Sequence, residues 1–219
     1  MSDPQVRNIV LIGPQGSGKG TQGHLLAERF GWYHLEVGKM LRSIARENTS
    51  LGRKVDEIIH KQGEMVPYEL VVQLLRETVQ KIAKDQSIIF DGTPRRIPEL
   101  EPFHAILKAN DRELTYVFFF DLSEEASIRR LANRRICENC HKSSIIPHRQ
   151  REGSAKCESC GGNLIQRADD TPAAIHRRLQ WHKERVQPVM DYYTKLGRLI
   201  RINADQSVEA VYNDMVARL

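Results

Sequence analysis

Three stretches of this 219-residue chain carry residue types at spacings suited to chemistry. Residues 13–21 read GPQGSGKGT, placing Gly16, Ser17, Gly18, Lys19, Gly20 and Thr21 in one run. Glycines let the backbone curl until successive N–H groups converge, and at the start of a helix such a curl binds phosphate. Gly13, four residues, then Gly18 and Lys19 is the phosphate-loop spacing, in which the ammonium reaches the β- and γ-phosphates of a nucleoside triphosphate. Gly20 departs from that pattern: it stands where Ser or Thr directly follows the lysine, so Thr21 carries the hydroxyl. The second stretch is Cys137 and Cys140, sixteen residues, then Cys157 and Cys160. C-x2-C repeated at this separation suits four thiolates closing a tetrahedron on a structural zinc, with no position open for catalysis. Two disulfides and an iron site compete for the same thiols, and a reducing compartment disfavours the disulfides. The third stretch, IIFDGTPRRIPE at 88–99, runs from apolar residues into Asp91 and Gly92, then Arg95, Arg96 and Glu99. An acid and two bases placed at a strand end raise the question of what they hold.

The elements that must position these groups are legible as alternating patterns. RNIVLI at 7–12 is a short β-branched run ending at the glycines, and residues 21–30 take up helical spacing. Pro67 sets the first turn of a helix expected over 67–84, with Val71, Leu75, Val79 and Ile82 on one face. A buried strand at 87–91 follows, then a helix at 97–110, a strand at 114–122 and a helix at 123–135. A long helix from Thr171 to about Leu196, with Trp181 partly buried in it, precedes a strand at 198–202 and a last helix from Ser207. Strands alternating with helices imply an α/β fold with a parallel sheet covered on both faces. Ligands of such sheets lie at the C-terminal strand ends, where Gly13 and Asp91 both fall. Residues 37–66 and 135–167 break the alternation and read as inserted lobes. Between the cysteine pairs only Ile145, Ile146 and Ala155 are clearly apolar, so the metal is expected to fold that lobe. With no internal repeat, the size suits one main domain.

Apolar residues make up 40% and charged residues 28%, which excludes a disordered chain, and no run is long enough to span a bilayer. The start MSDPQVRNIVLI has no signal-peptide pattern, so the chain is expected in the cytoplasm. A net charge of +5 suits anionic partners: nucleotides, nucleic acid or a membrane surface.

GxxGxGKGTQ, LxxGxMLR at 35–42, DGxPR at 91–95, the four-cysteine insertion and QRADDTPAAIHRRL at 166–179 occur in this order. Together they resemble the adenylate kinases with a zinc-bearing lid, from about residue 6 to the C-terminus. The resemblance implies a P-loop parallel five-stranded sheet flanked by helices, its core made of residues 1–36, 67–133 and 168–219. It implies a nucleoside monophosphate (NMP) lobe at 37–66 and a zinc-binding lid at 134–167. The implied reaction is reversible transfer of the γ-phosphoryl of Mg-ATP to AMP, giving two ADP, by a monomer with no nucleic acid or membrane partner. Transfer of this kind rests on positioning and charge neutralisation. Under the resemblance Lys19, Asp91, Arg95, Arg134, Arg167 and Arg178 are catalytic, Asp91 organising Mg2+. ATP falls to Gly16, Ser17, Gly18, Lys19, Gly20, Thr21, Arg130, Arg134 and Gln206. The acceptor falls to Val37, Arg42, Glu64, Met65, Val66, Gly92, Arg95, Glu99, Arg167 and Arg178. The pair Asp169-Asp170 would tether the closed lid.

Several positions depart from the family pattern. Glu99 stands where a glutamine reads adenine, and a carboxylate accepts hydrogen bonds without donating one. Guanine or cytosine presents donors instead, so GMP or CMP is an alternative acceptor. Val37, Lys39 and Thr93 replace a threonine, an aspartate and a phenylalanine; in the lid, Ser143-Ser144 replaces an aromatic and Asn133 a glycine. A reading of another class is a nucleotide- or RNA-binding regulatory protein without turnover, suggested by the basic charge and the edge HRQRE at 148–152. Of the adjacent Arg134 and Arg135, one is expected to be available to face solvent. Arg134→Ala is expected to lower kcat far more than fold stability. His24, His34, His60, His104 and His182 read as surface or packing residues.

Overall fold

The computed structural model describes residues 6–62, 66–146, 155–167 and 170–219. Its centre is a five-stranded parallel sheet of order β2-β3-β1-β4-β8. The strands are β1 (Asn8–Ile12), β2 (Tyr33–Glu36), β3 (Ile88–Asp91), β4 (Leu114–Asp121) and β8 (Leu199–Asn203). β-Branched and aromatic residues fill them, and the two-residue period of a strand sorts their side chains to opposite faces. Ile9, Leu11, Ile89, Phe118 and Phe120 pack with Leu26 of α1 (Lys19–Phe30) and with Val211 and Met215 of α8 (Val208–Val216). Val10, Ile12, Ile88, Phe90 and Val117 pack on the other face. There they meet α4 (Tyr68–Val79), α5 (Ile97–Ala109) and α7 (Pro172–Lys195). Burial on both faces explains why these strands read as nearly continuous apolar runs.

β2 is the strand missing from the residue-level reading. It is a four-residue edge strand, YHLE, with only Leu35 fully buried, and neither its length nor its apolar content separates it from a loop. Two boundaries also move. The helix expected to run to residue 84 ends at Val79, although Ile82 still packs in the core. The helix expected to reach residue 135 is α6 (Glu124–Ala132), capped at its start by the Ser123 hydroxyl. Asn133 closes its end, its side-chain amide donating to Arg129 O at 3.0 Å, and Arg134 already belongs to the next strand.

Two insertions interrupt the alternation. α2 (Val37–Ala45), α3 (Ser50–Asp56) and a π-helical turn at Glu57–Gln62 form a helical insertion after β2. Residues 134–165 carry a separate antiparallel sheet, β6-β5-β7, built from β5 (Arg134–Cys137), β6 (Ser143–Ile145) and β7 (Leu164–Ile165). Of its few apolar side chains Ile146 is buried and Ile145 is exposed, so burial supplies little of that lobe's stability. Arg46 of the helical insertion meets His141 of the cysteine lobe, Nη1 to Nε2 at 3.0 Å.

Candidate active site

The phosphate loop joins β1 to α1 as its spacing predicts. Gly18, left-handed at φ 89°, is the N-cap of α1, and the helix begins at Lys19. Lys19 Nζ donates to Gly13 O at 2.8 Å, Pro14 O at 2.7 Å and the Ser17 hydroxyl at 3.1 Å, so the ammonium ties both arms of the loop. Desolvation lowers the Lys19 pKa to about 8; Asp91 opposes the shift, and the Arg95 and Arg134 guanidiniums add to it. Gly16 and Ser17 lie in the loop and Ser17 is buried, whereas Thr21 is exposed on the first turn of α1.

Asp91 ends β3, directly in register with Leu11 of β1 and Glu36 of β2. Burial opposes ionisation of its carboxyl, but His34, Lys19 and Arg95 together outweigh burial and hold its pKa below the ordinary carboxylate value. Gly92 takes φ 92°, and a Cβ there would stand 2.6 Å from Arg95 Nη2. Only glycine allows both that backbone and the close guanidinium. Arg95 is thereby folded back beside Asp91 at the strand end.

The geometry also shows what Glu99 holds. Its carboxylate accepts the Arg95 backbone N–H at 2.7 Å through Oε2 and the Arg96 Nε–H at 2.7 Å through Oε1. Arg96 is the N-cap of α5 and Glu99 its third residue, so the carboxylate reaches back across the first turn as in a capping box. Arg96 in turn lies over the Tyr68 ring, its guanidinium carbon 5.4 Å from the centroid. Glu99 therefore holds the Arg95 backbone and the Arg96 guanidinium, while the Arg95 guanidinium stays beside Asp91.

The remaining arginines lie on β5, α6, α7 and the segment after β7. Arg134 binds Asp170 in a fork, Nη2 to Oδ1 at 2.5 Å and Nε to Oδ2 at 2.7 Å, and the Asp170 side chain is 0% exposed. Arg178, on the first half of α7, has Nη1 3.9 Å from the same Oδ1 and 3.5 Å from Gln15 Oε1 of the phosphate loop. The Arg167 carbonyl accepts the Asp170 N–H at 3.0 Å. Arg130 has Nη1 3.4 Å from Gly16 O and Nη2 3.4 Å from Asp205. Neither of the adjacent pair is given to solvent, since Arg135 is buried and donates to Ala132 O and Arg134 O.

Other sequence-derived positions fall less tightly. Val37, the first residue of α2, and Val66 are buried in the core, and Arg42 of α2 packs against Gly38. The amide of Gln206 donates to Asn203 O and Asp214, and its neighbour Asp205 is the residue that meets Arg130. Glu64, Met65, Asp169 and the HRQRE edge lie outside the described residues. One histidine read as a packing residue is that, and another is more. His182 stacks on Phe119, and burial, with Lys19 and Arg95, pushes its pKa to about 3, so it is neutral. His34 lies beside Asp91, with Nε2 3.7 Å from Oδ2. The signal for it was the His-x-Glu alternation of YHLE, which carries meaning only once β2 is known to pair with β3.

The four cysteines converge. Cys137 Sγ lies 3.4 Å from Cys160 Sγ and Cys140 Sγ 3.6 Å from Cys157 Sγ, and all four sulfurs are within 4.8 Å of one another. No pair is bonded, as all four are free thiols. Thiolates about 2.3 Å from a tetrahedral zinc stand about 3.8 Å apart, so the cluster fits that ion. Cys157→Ser is expected to abolish stoichiometric zinc and to raise hydrogen exchange across 134–165 while leaving the phosphate loop protected. Metal analysis with residue-resolved exchange measures both, and retained zinc in the variant would refute the assignment of Cys157.

A phosphate loop at the head of a parallel sheet, with helical and cysteine-bearing insertions over the strand ends, defines a P-loop phosphotransferase of the nucleoside monophosphate kinase type. The family model described as adenylate kinase matches residues 11–198. Proteins named adenylate kinase are similar along nearly the whole chain. That of Kosmotoga olearia is 37% identical over 212 residues, covering 97% of this chain and 98% of the relative. Those of Thermosipho melanesiensis and Methanothrix thermoacetophila are each 35% identical, covering 95% of this chain and 97% and 96% of the relatives. The chain belongs to the adenylate kinase family.

Proposed function

We propose that the protein transfers the γ-phosphoryl group of Mg-ATP reversibly to AMP, as a monomer in the cytoplasm. The observation that carries this reading is the convergence of Lys19, Asp91, Arg95, Arg134 and Arg178 on the C-terminal strand ends around the phosphate loop. All of these groups come from one chain, and a reducing compartment keeps the four thiols available for metal. Phosphoryl transfer asks the protein to align two nucleotides, exclude water and neutralise charge on the phosphoryl oxygens. Lys19 and the loop N–H groups would hold the ATP phosphates. Arg95 and Arg42 would grip the acceptor phosphate, and Arg134, Arg167 and Arg178 would close over the transferred group, each guanidinium offering two parallel donors. The carboxylate of Asp91, ionised and facing the loop, fits the organisation of Mg2+, which supplies further charge neutralisation when bound with ATP.

AMP is favoured over GMP and CMP because both Glu99 oxygens already accept hydrogen bonds within their own helix turn. The carboxylate is then a support for the arginine segment, and its lack of a donor ceases to count against adenine. The deciding experiment offers the enzyme AMP, GMP, CMP and UMP with Mg-ATP and follows diphosphate formation. Wild type is expected to turn over AMP. Glu99→Gln puts an amide N–H against one of two donors that the carboxylate now satisfies, which costs about 1–3 kcal/mol. The variant is therefore expected to melt earlier with its base preference unchanged. A preference that moves between bases on this substitution would return Glu99 to the role of base reader.

A further inference from the structure

At the C-terminal ends of β2 and β3, His34, Glu36 and Asp91 bring three ligand atoms within 4.8 Å of one another. The fold makes this trio by register. Glu36 lies opposite Asp91 and His34 opposite Ile89, so the two-residue strand period sends all three side chains to the face covered by α1. His34 Nδ1 is 3.7 Å from Glu36 Oε1, and His34 Nε2 is 3.7 Å from Asp91 Oδ2, both too long for hydrogen bonds. Its side chain is 8% exposed, and Nε2 is buried without a hydrogen-bond partner among the described residues. Buried ring nitrogens are normally satisfied, so an imidazole held between two carboxylates and bonded to neither points to a ligand.

The helix above is shaped to the trio. A Cβ on Gly23 would stand 2.4 Å from His34 Nε2, so only glycine admits the ring. One turn earlier, a Cβ on Gly20 would lie 3.5 Å from Asp91 Oδ2 and 3.7 Å from Glu36 Oε2, and its absence leaves the front of both carboxylates clear. This gives Gly20, the residue by which the loop departs from the usual phosphate-loop pattern, a local role.

We propose that His34, Glu36 and Asp91 form a site that binds a borderline divalent cation, such as Co2+, Mn2+ or Zn2+, directly and without nucleotide. One imidazole nitrogen with two carboxylates suits these ions, whereas Mg2+ favours an all-oxygen shell and keeps its waters. Lys39, with Nζ 3.9 Å from Glu36 Oε1, competes for one carboxylate; Lys19 and Arg95 face the other. The site goes beyond the reading of ATP and AMP, and its test contains neither.

The test is Co2+ titration of the full chain, its cysteines first loaded with zinc, by calorimetry and visible absorption. One further Co2+ per chain is expected, without the sulfur-to-cobalt charge-transfer band that would mark replacement at the cysteines. A hundredfold excess of Mg2+ should not displace it. His34→Gln and Glu36→Gln should each weaken binding about tenfold or more, and Lys39→Ala should tighten it. Lys39→Ala keeps the test decisive if the buried His34 variant fails to fold. Absence of the further equivalent, ready displacement by Mg2+, equal affinity in His34→Gln, or no tightening in Lys39→Ala would each overturn the proposal.

Discussion

Lys19→Met is expected to lower kcat/KM at least a hundredfold with no comparable loss of stability. A positive charge aimed at spreading phosphoryl charge in a water-poor cleft contributes factors of this size. The fold, in contrast, gains little from the charge. Desolvation holds the Lys19 pKa at about 8, against 10.5 in the unfolded chain. Below about pH 8 the lysine is protonated in both states. Between about 8 and 10.5 the unfolded chain holds a proton that the folded chain has lost, so this group makes stability rise with pH across that window. Methionine removes that slope and, as an apolar side chain of similar length, relieves the buried charge. ATP adds negative charge and must raise the Lys19 pKa. Its binding is then insensitive to pH below about 8 with respect to this group, and above it weakens as a proton has to be taken up. Calorimetry in buffers of different ionisation enthalpy at pH 8.5–9 should show that uptake in wild type and lose it in Lys19→Met. Equal turnover in the variant would remove Lys19 from the chemistry.

Arg134→Ala is expected to lose turnover and stability together, where the sequence alone leads one to expect kcat to fall far more than fold stability. The Asp170 carboxylate is fully buried, and among the described residues Arg134 makes two short bonds to it, with an Arg178 contact at 3.9 Å. Removing one partner of a buried pair leaves an uncompensated charge and costs about 3–5 kcal/mol. The nearby Arg178 places this case at the lower end, about 3 kcal/mol, or roughly 6–12 °C in Tm for a chain of this size. Turnover should fall about a hundredfold or more through the lost phosphate contact. The double variant Arg134→Ala with Asp170→Asn separates the two effects: neutralising the stranded carboxylate should restore most of the Tm and none of the turnover. Unchanged Tm in Arg134→Ala would show that the fork does not hold the lobe.

Residues 88–99 show how differently sequence and structure speak. The phosphate loop and the four cysteines were legible because each is a local device: spacing alone sets the curl of a Gly-rich turn or the reach of paired thiols. The apolar runs of β1, β3 and β4 were legible because central parallel strands are buried on both faces. β2 was not, since an edge strand of four residues needs only one buried side chain. With β2 missing, His34 and Glu36 had no visible relation to Asp91, because a register between strands more than fifty residues apart is written in packing and not in spacing. The Glu99 case runs the same way. Sequence identified an acceptor without a donor in a place where a donor was expected, whereas the backbone of the α5 turn decided that its oxygens face Arg95 N–H and Arg96 Nε. Residue types and local spacing thus determined the chemistry this protein has available and the class of fold that carries it. Only the tertiary structure decided which charges are satisfied by one another and which face the cleft, because that balance depends on burial and on distances of a few ångströms between distant segments.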